Sequence, residues 1–244
     1  MAKLEAYDKT LDYSYAPGIF PATECLKNAK KRCMRLLVSS NGLQSEGVQA
    51  LEKAAQEADI RVEVADRALE RISKKENCFA AMVYKKAEGR FDEDSPHIVL
   101  HHPSDSGNLG TILRTALGFG LKNIAIIRPA VDSDDPRVVR ASMGAVFRMA
   151  VPQITEEEAL AQCREKKLML TVTALNDQAV DIRSADLSNA VAVIGSEGQG
   201  VRKSILDAAE QSVIIPMQPH CESLNAAIAA AIVMWQMKNG EYGG

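Results

Sequence analysis

Three short clusters in the C-terminal half of the chain combine polar side chains and glycines at spacings that could do chemistry. The first is N-x-G-x-x-x-R, formed by Asn108, Gly110 and Arg114. Arg114 is flanked by Leu113, Thr115, Ala116 and Leu117. An arginine among apolar neighbours is expected to meet a carboxylate or a phosphate. A structural salt bridge is the competing account, and Glu197 is the candidate partner under either. The second cluster, GSEGQG (residues 195–200), closes an apolar run. Its glycines permit positive φ and close backbone approach. Its spacing and late position differ from the dinucleotide pattern, and a Walker Lys-Ser/Thr is missing, so phosphate cradling is disfavoured. A ligand that bonds to exposed backbone, such as an adenosine, fits better. The alternative is a ligand-free strand-to-helix turn in which Glu197 caps the next helix. The third cluster, Glu222, Ser223, Leu224 and Asn225, follows the run VIIPM and opens an alanine-rich helix. Serine and asparagine at a helix entry are caps first and catalysts second.

Other residues carry weaker signals. His101-His102 lies at a predicted strand end with no third ligand at metal spacing, so a polar loop is expected and no metal site. Cys221 has His220 beside it in sequence, which is not the geometry of an activated nucleophile. Lys27, Lys30, Lys31, Arg32 and Arg35 form the clearest basic patch. Such a run is usually a solvated face, yet it is also the one place suited to binding nucleic-acid phosphates.

The elements that must position these clusters follow from periodicity. Residues up to about Pro17 show no sustained period and read as a loose arm. Phe20 to Arg32 reads as a helix with Thr23 as N-cap, followed by a strand from Met34 to Ser40. Helix Glu46 to Asp59 would bury Val48, Leu51, Ala54, Ala55 and Ala58. A strand, a short helix and the strand Cys78 to Tyr84 complete a β-α-β-α-β unit. The charged stretch from Lys85 to Pro96 reads as a linker. Beyond it strands and helices alternate: HIVLHHP, then a helix closed by glycines, NIAIIRP, a helix from Pro136, EEEALAQCREKK, LMLTVTAL, AVAVIG, RKSILDAAEQ, VIIPM and the last helix. That alternation predicts a mostly parallel sheet covered on both faces. At the carboxyl edge of such a sheet ligands bind. The last helix is apolar on nearly every face, which predicts burial, part of it against a second subunit.

Composition sets the outer bounds. The chain has 244 residues, 46% hydrophobic and 25% charged, which suits one large or two modest globular domains. No apolar run has the length of a membrane span, and the N-terminus lacks an apolar h-region, so neither membrane insertion nor a signal peptide is expected. Five scattered cysteines without C-x-x-C spacing point to a reducing, cytoplasmic location. A formal net charge of −3 makes no global case for nucleic acid, though a local patch suffices to bind phosphate.

In order, N-x-G-x-x-x-R, G-x-E-G-x-G and IPM…SLN (Ile215 to Asn225) resemble the three motifs of the SpoU, or TrmH-type, RNA ribose 2′-O-methyltransferases of the SPOUT superfamily. VVRASMGAVFRM (Val138 to Met149) resembles the family's A-S-x-G-A helix, and the likeness runs unbroken over residues 96 to 240. The resemblance implies an α/β fold, a SPOUT-type parallel sheet with a C-terminal trefoil knot, over residues 91–244. Residues 1–90 more weakly resemble the small α/β RNA-binding domain that many members carry. It also implies S-adenosylmethionine as cofactor, RNA as partner and a homodimer formed through helices near the first and third motifs. Asn108, Arg114, Glu197, Ser223 and Asn225 fall on the family's catalytic positions. Gly195, Ile215 and Leu224 fall on backbone contacts to the adenosine, with Ser196, Gly200 and Met217 in the same cofactor site. Asp105-Ser106-Gly107 replaces the commoner Asp-Pro-x, and Ala226-Ala227 stands where many members have Val-Ser.

The implied activity is methyl transfer to a ribose 2′-hydroxyl, of ribosomal RNA ahead of transfer RNA. A non-catalytic RNA-binding relative would be expected to lose Asn108, Arg114 or Glu197, and all three are present. An ordinary nucleotide-dependent doubly wound enzyme would need an early glycine-rich loop, which SSNGLQSEG is not.

Overall fold

The computed structural model describes residues 4–73, 78–89, 97–149, 151–176, 178–196, 198, 200–218, 220–221 and 223–239. Of the expected linker, residues 90–96 lie outside these. The chain forms two compact units, Met1–Glu88 with Asp132–Arg148, and Gly89–Val131 with Met149–Gly244.

The first unit contains β1 (Tyr13–Pro17), α1 (Ile19–Asn28), β2 (Cys33–Val38), α2 (Glu46–Glu57), β3 (Arg61–Val64), α3 (Asp66–Ser73) and β4 (Ala80–Lys85). Its sheet has the order β1-β4-β2-β3. β2 and β3, joined through α2, run parallel, while β4 is antiparallel to both β1 and β2. The expected loose arm is corrected here. Tyr13 to Pro17 pairs along β4, and Ser14, Tyr15 and Ala16 are fully buried. The strand is too short for its alternation to stand out, so only its pairing partner reveals it. The Thr23 cap is also corrected. The cap of α1 lies five residues earlier, on Gly18, which makes no side-chain cap, and the Thr23 hydroxyl donates back to the Ile19 carbonyl at 2.8 Å. Residues Lys30–Arg32 form a separate 3-10 turn. On α2, Val48, Leu51 and Ala55 are buried, but Ala54 is exposed.

The segment Asp132–Arg148 joins this unit through carboxylates. Asp134 accepts the Tyr84 hydroxyl at 2.9 Å and Arg32 Nη2 at 3.2 Å, while Asp132 accepts Tyr7 at 2.6 Å and Lys86 at 3.0 Å. Burial raises Asp134 above the usual carboxylate value despite the opposing Arg32 charge. At Asp132 the burial cost is outweighed by the Tyr7, Asp134 backbone and Lys86 bonds, and the carboxyl is lowered.

The second unit contains β5 (Ile98–His101), α4 (Ser106–Gly118) and β6 (Ile124–Ile127). The chain then forms α5 (Pro136–Ala141) in the first unit before β7 (Gln153–Ile154), α6 (Glu156–Lys166), β8 (Met169–Thr173), β9 (Val180–Asp181), β10 (Ala190–Ile194), α7 (Lys203–Ala208), β11 (Gln211–Ile214) and α8 (Ala226–Met237). The helix expected from Pro136 is short. Pro136 does open it, but Met143 at φ 52° and Gly144 at φ 76° end it before the 3-10 turn Ala145–Arg148. A Cβ on Gly144 would lie 2.7 Å from the Glu24 Cβ, so only glycine fits.

The seven strands are ordered β7-β6-β5-β10-β8-β11-β9, and every pairing is parallel. β5, β6 and β10 are buried at every residue, as strands covered on both faces must be. Thr155 and Glu158 form the capping box that starts α6. β5 and β10 are neighbours, and the connections that leave them run in opposite directions, from β5 to β6 and from β10 to β11, so a crevice opens at their carboxyl ends. No described helix is long and apolar enough to cross a membrane.

Candidate active site

The loops after β5, β8, β10 and β11 emerge at this edge. After β5, Asp105 caps α4 by accepting the Asn108 N–H at 2.7 Å, which places the Asn108 side chain at the helix mouth. After β11, Asn225 caps α8, its Oδ1 accepting from Ala227 and Ile228 N–H at 2.9 and 3.3 Å. Its remaining amide then donates to Asn108 Oδ1 at 3.0 Å. The first and third clusters are thereby joined by a side-chain hydrogen bond. Asn225 is both a cap and a site residue, and each role uses a different end of the amide.

After β10 the chain turns back on itself. Ser196 and Gly200 form an isolated antiparallel bridge, with Gly200 N–H donating to the Ser196 carbonyl at 2.9 Å. A Cβ on Gly195 would come within 2.5 Å of the Gly200 carbonyl carbon, so the second cluster needs glycine there for its own backbone. Glu197 lies outside the described residues, as does Glu222.

A cavity of about 400 Å³ opens between these turns. Gly195, Ser196, Gly200, Ile215, Met217 and Leu224 all line it, as does Ser223. Leu206, Val213, Ile214 and Ala229 supply an apolar wall, and Thr173 and Asn176 add polar groups. A mostly apolar cleft with a few polar groups and open backbone suits a flat heterocycle bearing hydrogen-bonding edges. A second, water-sized cavity of about 20 Å³ carries Asp105, Asn108 and Ile112, and shares Gly195, Ser196 and Ala226 with the first. Sequence reading missed the β8 loop, residues Thr173 to Asn176. Its signal was available, since LMLTVTAL is a strand of the same sheet and must end at the same edge.

Arg114 departs from expectation. It is exposed, lines neither cavity, and pairs with no carboxylate among the described residues. Leu109, Ile112, Leu113 and Ala116 form the buried stripe of α4, and Arg114 falls off it. The basic patch divides in two. Lys27, Lys30 and Lys31 are exposed. Arg32 is bound to Asp134 and stacks 5.1 Å from the Tyr84 ring centroid, while Arg35 pairs with Glu63 at 2.9 Å. The two arginines are committed to holding the first unit together.

Helix α8 is buried along one side only within this chain. Ala227, Ala230, Val233 and Met234 are buried, but Ile228 and Trp235 are 53% and 56% exposed. Trp235 lies 5.9 Å from Phe119, ring to ring, at the end of α4. Histidines 101 and 102 are not in a polar loop. Both are buried, and Glu156 from α6 faces them.

The sequence profile of the SpoU rRNA Methylase family matches residues 95–235. The chain belongs to that family. A Staphylococcus aureus protein assigned to the TrmH family of tRNA/rRNA methyltransferases is 34% identical over 143 residues, 57% of each chain. A tRNA/rRNA methyltransferase from Synechocystis is 31% identical over 146 residues, covering 59% of this chain and 53% of that one. The chain thus spans about half the length of the curated relatives it matches. Among solved structures, an RNA 2′-O ribose methyltransferase superposes with a TM-score of 0.79 at 26% identity, covering 94% of this chain and 89% of the other. The SpoU methyltransferase AviRb from Streptomyces viridochromogenes, bound to AdoMet, gives 0.81 at 19% identity over 96% and 92%, a likeness of fold.

Gly195→Ala is expected to destabilise this SpoU-family chain by about 1–3 kcal/mol, because the new methyl meets backbone that has no side chain to swing aside. Urea denaturation measures it, and an unchanged midpoint would show that the turn yields freely.

Proposed function

We propose that the chain is an S-adenosylmethionine-dependent RNA methyltransferase that acts on a ribose 2′-hydroxyl, with ribosomal RNA as the substrate class. The observation that carries this reading is the gathering of the motif loops around one cavity, with Asn108 hydrogen-bonded to Asn225 beside it. The residues suit the cofactor. Gly195 leaves room for the Gly200 backbone where a Cβ would clash, Gly200 takes a φ of 62° that favours glycine, and Ile215, Met217 and Leu224 offer apolar contact to an adenine ring.

The cofactor supplies an electrophilic methyl group, so the protein's tasks are alignment and charge. Asn108 and Asn225 hold each other's amides and so fix the mouth of the pocket. Ser223 and Glu197 would orient the hydroxyl and the cofactor. Arg114 carries a guanidinium, a hydrogen-bond donor with no lone pair available to accept a proton. Its role is therefore to grip the neighbouring phosphate and to stabilise the developing alkoxide, rather than to act as a base. The exposure of Arg114 fits a homodimer through α4 and α8. A second copy would cover Ile228 and Trp235 and would offer its arginine at the shared interface. Methylation of transfer RNA by the same chemistry is the second reading, favoured by the tRNA/rRNA naming of the relatives.

Arg114→Ala is expected to slow single-turnover ribose methylation by at least about 100-fold, with S-adenosylmethionine affinity retained. Mass spectrometry of the RNA and calorimetry of the protein give the two readouts, and near-normal turnover would overturn the assignment. Replacing Lys27, Lys30 and Lys31 by alanine should weaken RNA binding and lower the slope of log K against log salt by about 0.7–0.9 for each phosphate that is no longer neutralised. A slope that does not change would show these lysines to be only a solvated surface.

A further inference from the structure

The interior cluster behind the Gly200 turn has an unbalanced set of lone pairs. His101 Nδ1 faces the Gly200 carbonyl at 3.3 Å, and His102 Nδ1 faces the Pro129 carbonyl at 3.2 Å. A carbonyl oxygen can only accept, so each Nδ1 must carry its hydrogen. In neutral imidazoles both Nε2 atoms are then bare lone pairs. Both lie near one carboxylate oxygen, Glu156 Oε1, at 3.4 Å from His101 and 3.6 Å from His102. Three acceptors face one another at short range; Arg202 Nη1 donates to Glu156 Oε1 at 3.0 Å, which leaves the two Nε2 lone pairs without a cation of their own.

A proton is a poor occupant. The His101 side chain is 0% exposed and that of His102 9%. His102 Nε2 is buried and has no hydrogen-bond partner among the described residues. A single proton would also leave one of the two Nε2 lone pairs unmatched.

We propose that His101 Nε2, His102 Nε2 and Glu156 Oε1 form a binding site for a zinc-class divalent cation at the carboxyl edge of the second unit's sheet. The ligand atoms all lie within 4.8 Å of one another. Tetrahedral zinc with bonds of about 2.0–2.1 Å has ligand-to-ligand edges of about 3.3–3.4 Å, close to the 3.4 and 3.6 Å observed. Two imidazoles and one carboxylate form a donor set that zinc takes, whereas magnesium prefers all-oxygen ligands. The outer shell is in place as well. Both Nδ1–H groups are anchored to carbonyls, and Ser204 Oγ donates to Glu156 Oε2 at 2.6 Å. Arg202 Nη1 now sits 3.0 Å from Glu156 Oε1, but this side chain is 57% exposed and can turn to solvent when a cation enters. Because His101 holds the Gly200 carbonyl, the ion would stiffen the turn that lines the larger cavity.

Equilibrium dialysis of the full chain against Zn²⁺, read by elemental analysis, tests this without cofactor or RNA. One zinc per chain is expected, with affinity at least about tenfold weaker in Glu156→Gln and in His102→Ala. A Cys25→Ser/Cys33→Ser variant removes the thiol pair at 3.7 Å in the first unit, and it should bind as the parent does. Co²⁺ should give a visible ligand-field band without a thiolate charge-transfer band. Absence of stoichiometric zinc in the parent chain would overturn the proposal. So would binding that survives Glu156→Gln but disappears with the cysteines. Circular dichroism of each variant separates loss of the site from loss of the fold.

Discussion

The side-chain hydrogen bond between Asn225 and Asn108, 117 residues apart in sequence, is the constraint on which the site depends. It forms only if α4 and α8 start side by side at one edge of the sheet. Each helix start is fixed by its own cap, Asp105 for α4 and the other end of the same Asn225 amide for α8. A cap contributes about 1 kcal/mol and a neutral hydrogen bond about as much. The fold does not rest on these terms. Burial of β5, β6 and β10 holds the sheet, and the polar groups then choose where its loops end.

The glycines solve a different problem. At the carboxyl edge the chain must leave β10 and turn within a few residues, while keeping backbone N–H and C=O groups open to a ligand. Gly195 lets the backbone of Gly200 lie against it, and this close approach shapes one wall of the cavity. Behind that wall His101 fixes the Gly200 carbonyl, and Glu156 faces the histidine from α6. The turn is therefore held from the interior side, while its other side remains available to a ligand.

Much of this was legible in the sequence because the signals were local. Apolar runs such as AVAVI and IAII announce strands buried on both faces, and their alternation with helices announces a parallel sheet. The motif residues Gly195, Ser196, Gly200, Ile215, Met217 and Leu224 were grouped by resemblance, and in space they share one cavity. What escaped depends on partners distant in sequence. β1 is recognisable only through its pairing with β4, and Ser14 is buried under a carbonyl 120 residues away. Arg32 and Arg35 read as part of a basic face until Asp134 and Glu63 are placed beside them. Arg114 looked enclosed because its sequence neighbours are apolar, yet a helix turns by about 100° per residue, and neighbours in sequence do not share a face. His101-His102 stood without a neighbouring carboxylate in the sequence because Glu156 arrives from α6, far along the chain.

A double-mutant cycle between Asn108→Ala and Asn225→Ser, read as S-adenosylmethionine affinity by calorimetry, tests the central claim most directly. Serine keeps the cap of α8 but cannot reach across to Asn108. If the two asparagines act as one unit at the pocket mouth, the double variant will bind no more weakly than the weaker single variant. Strictly additive losses, or no loss in either single variant, would contradict the account.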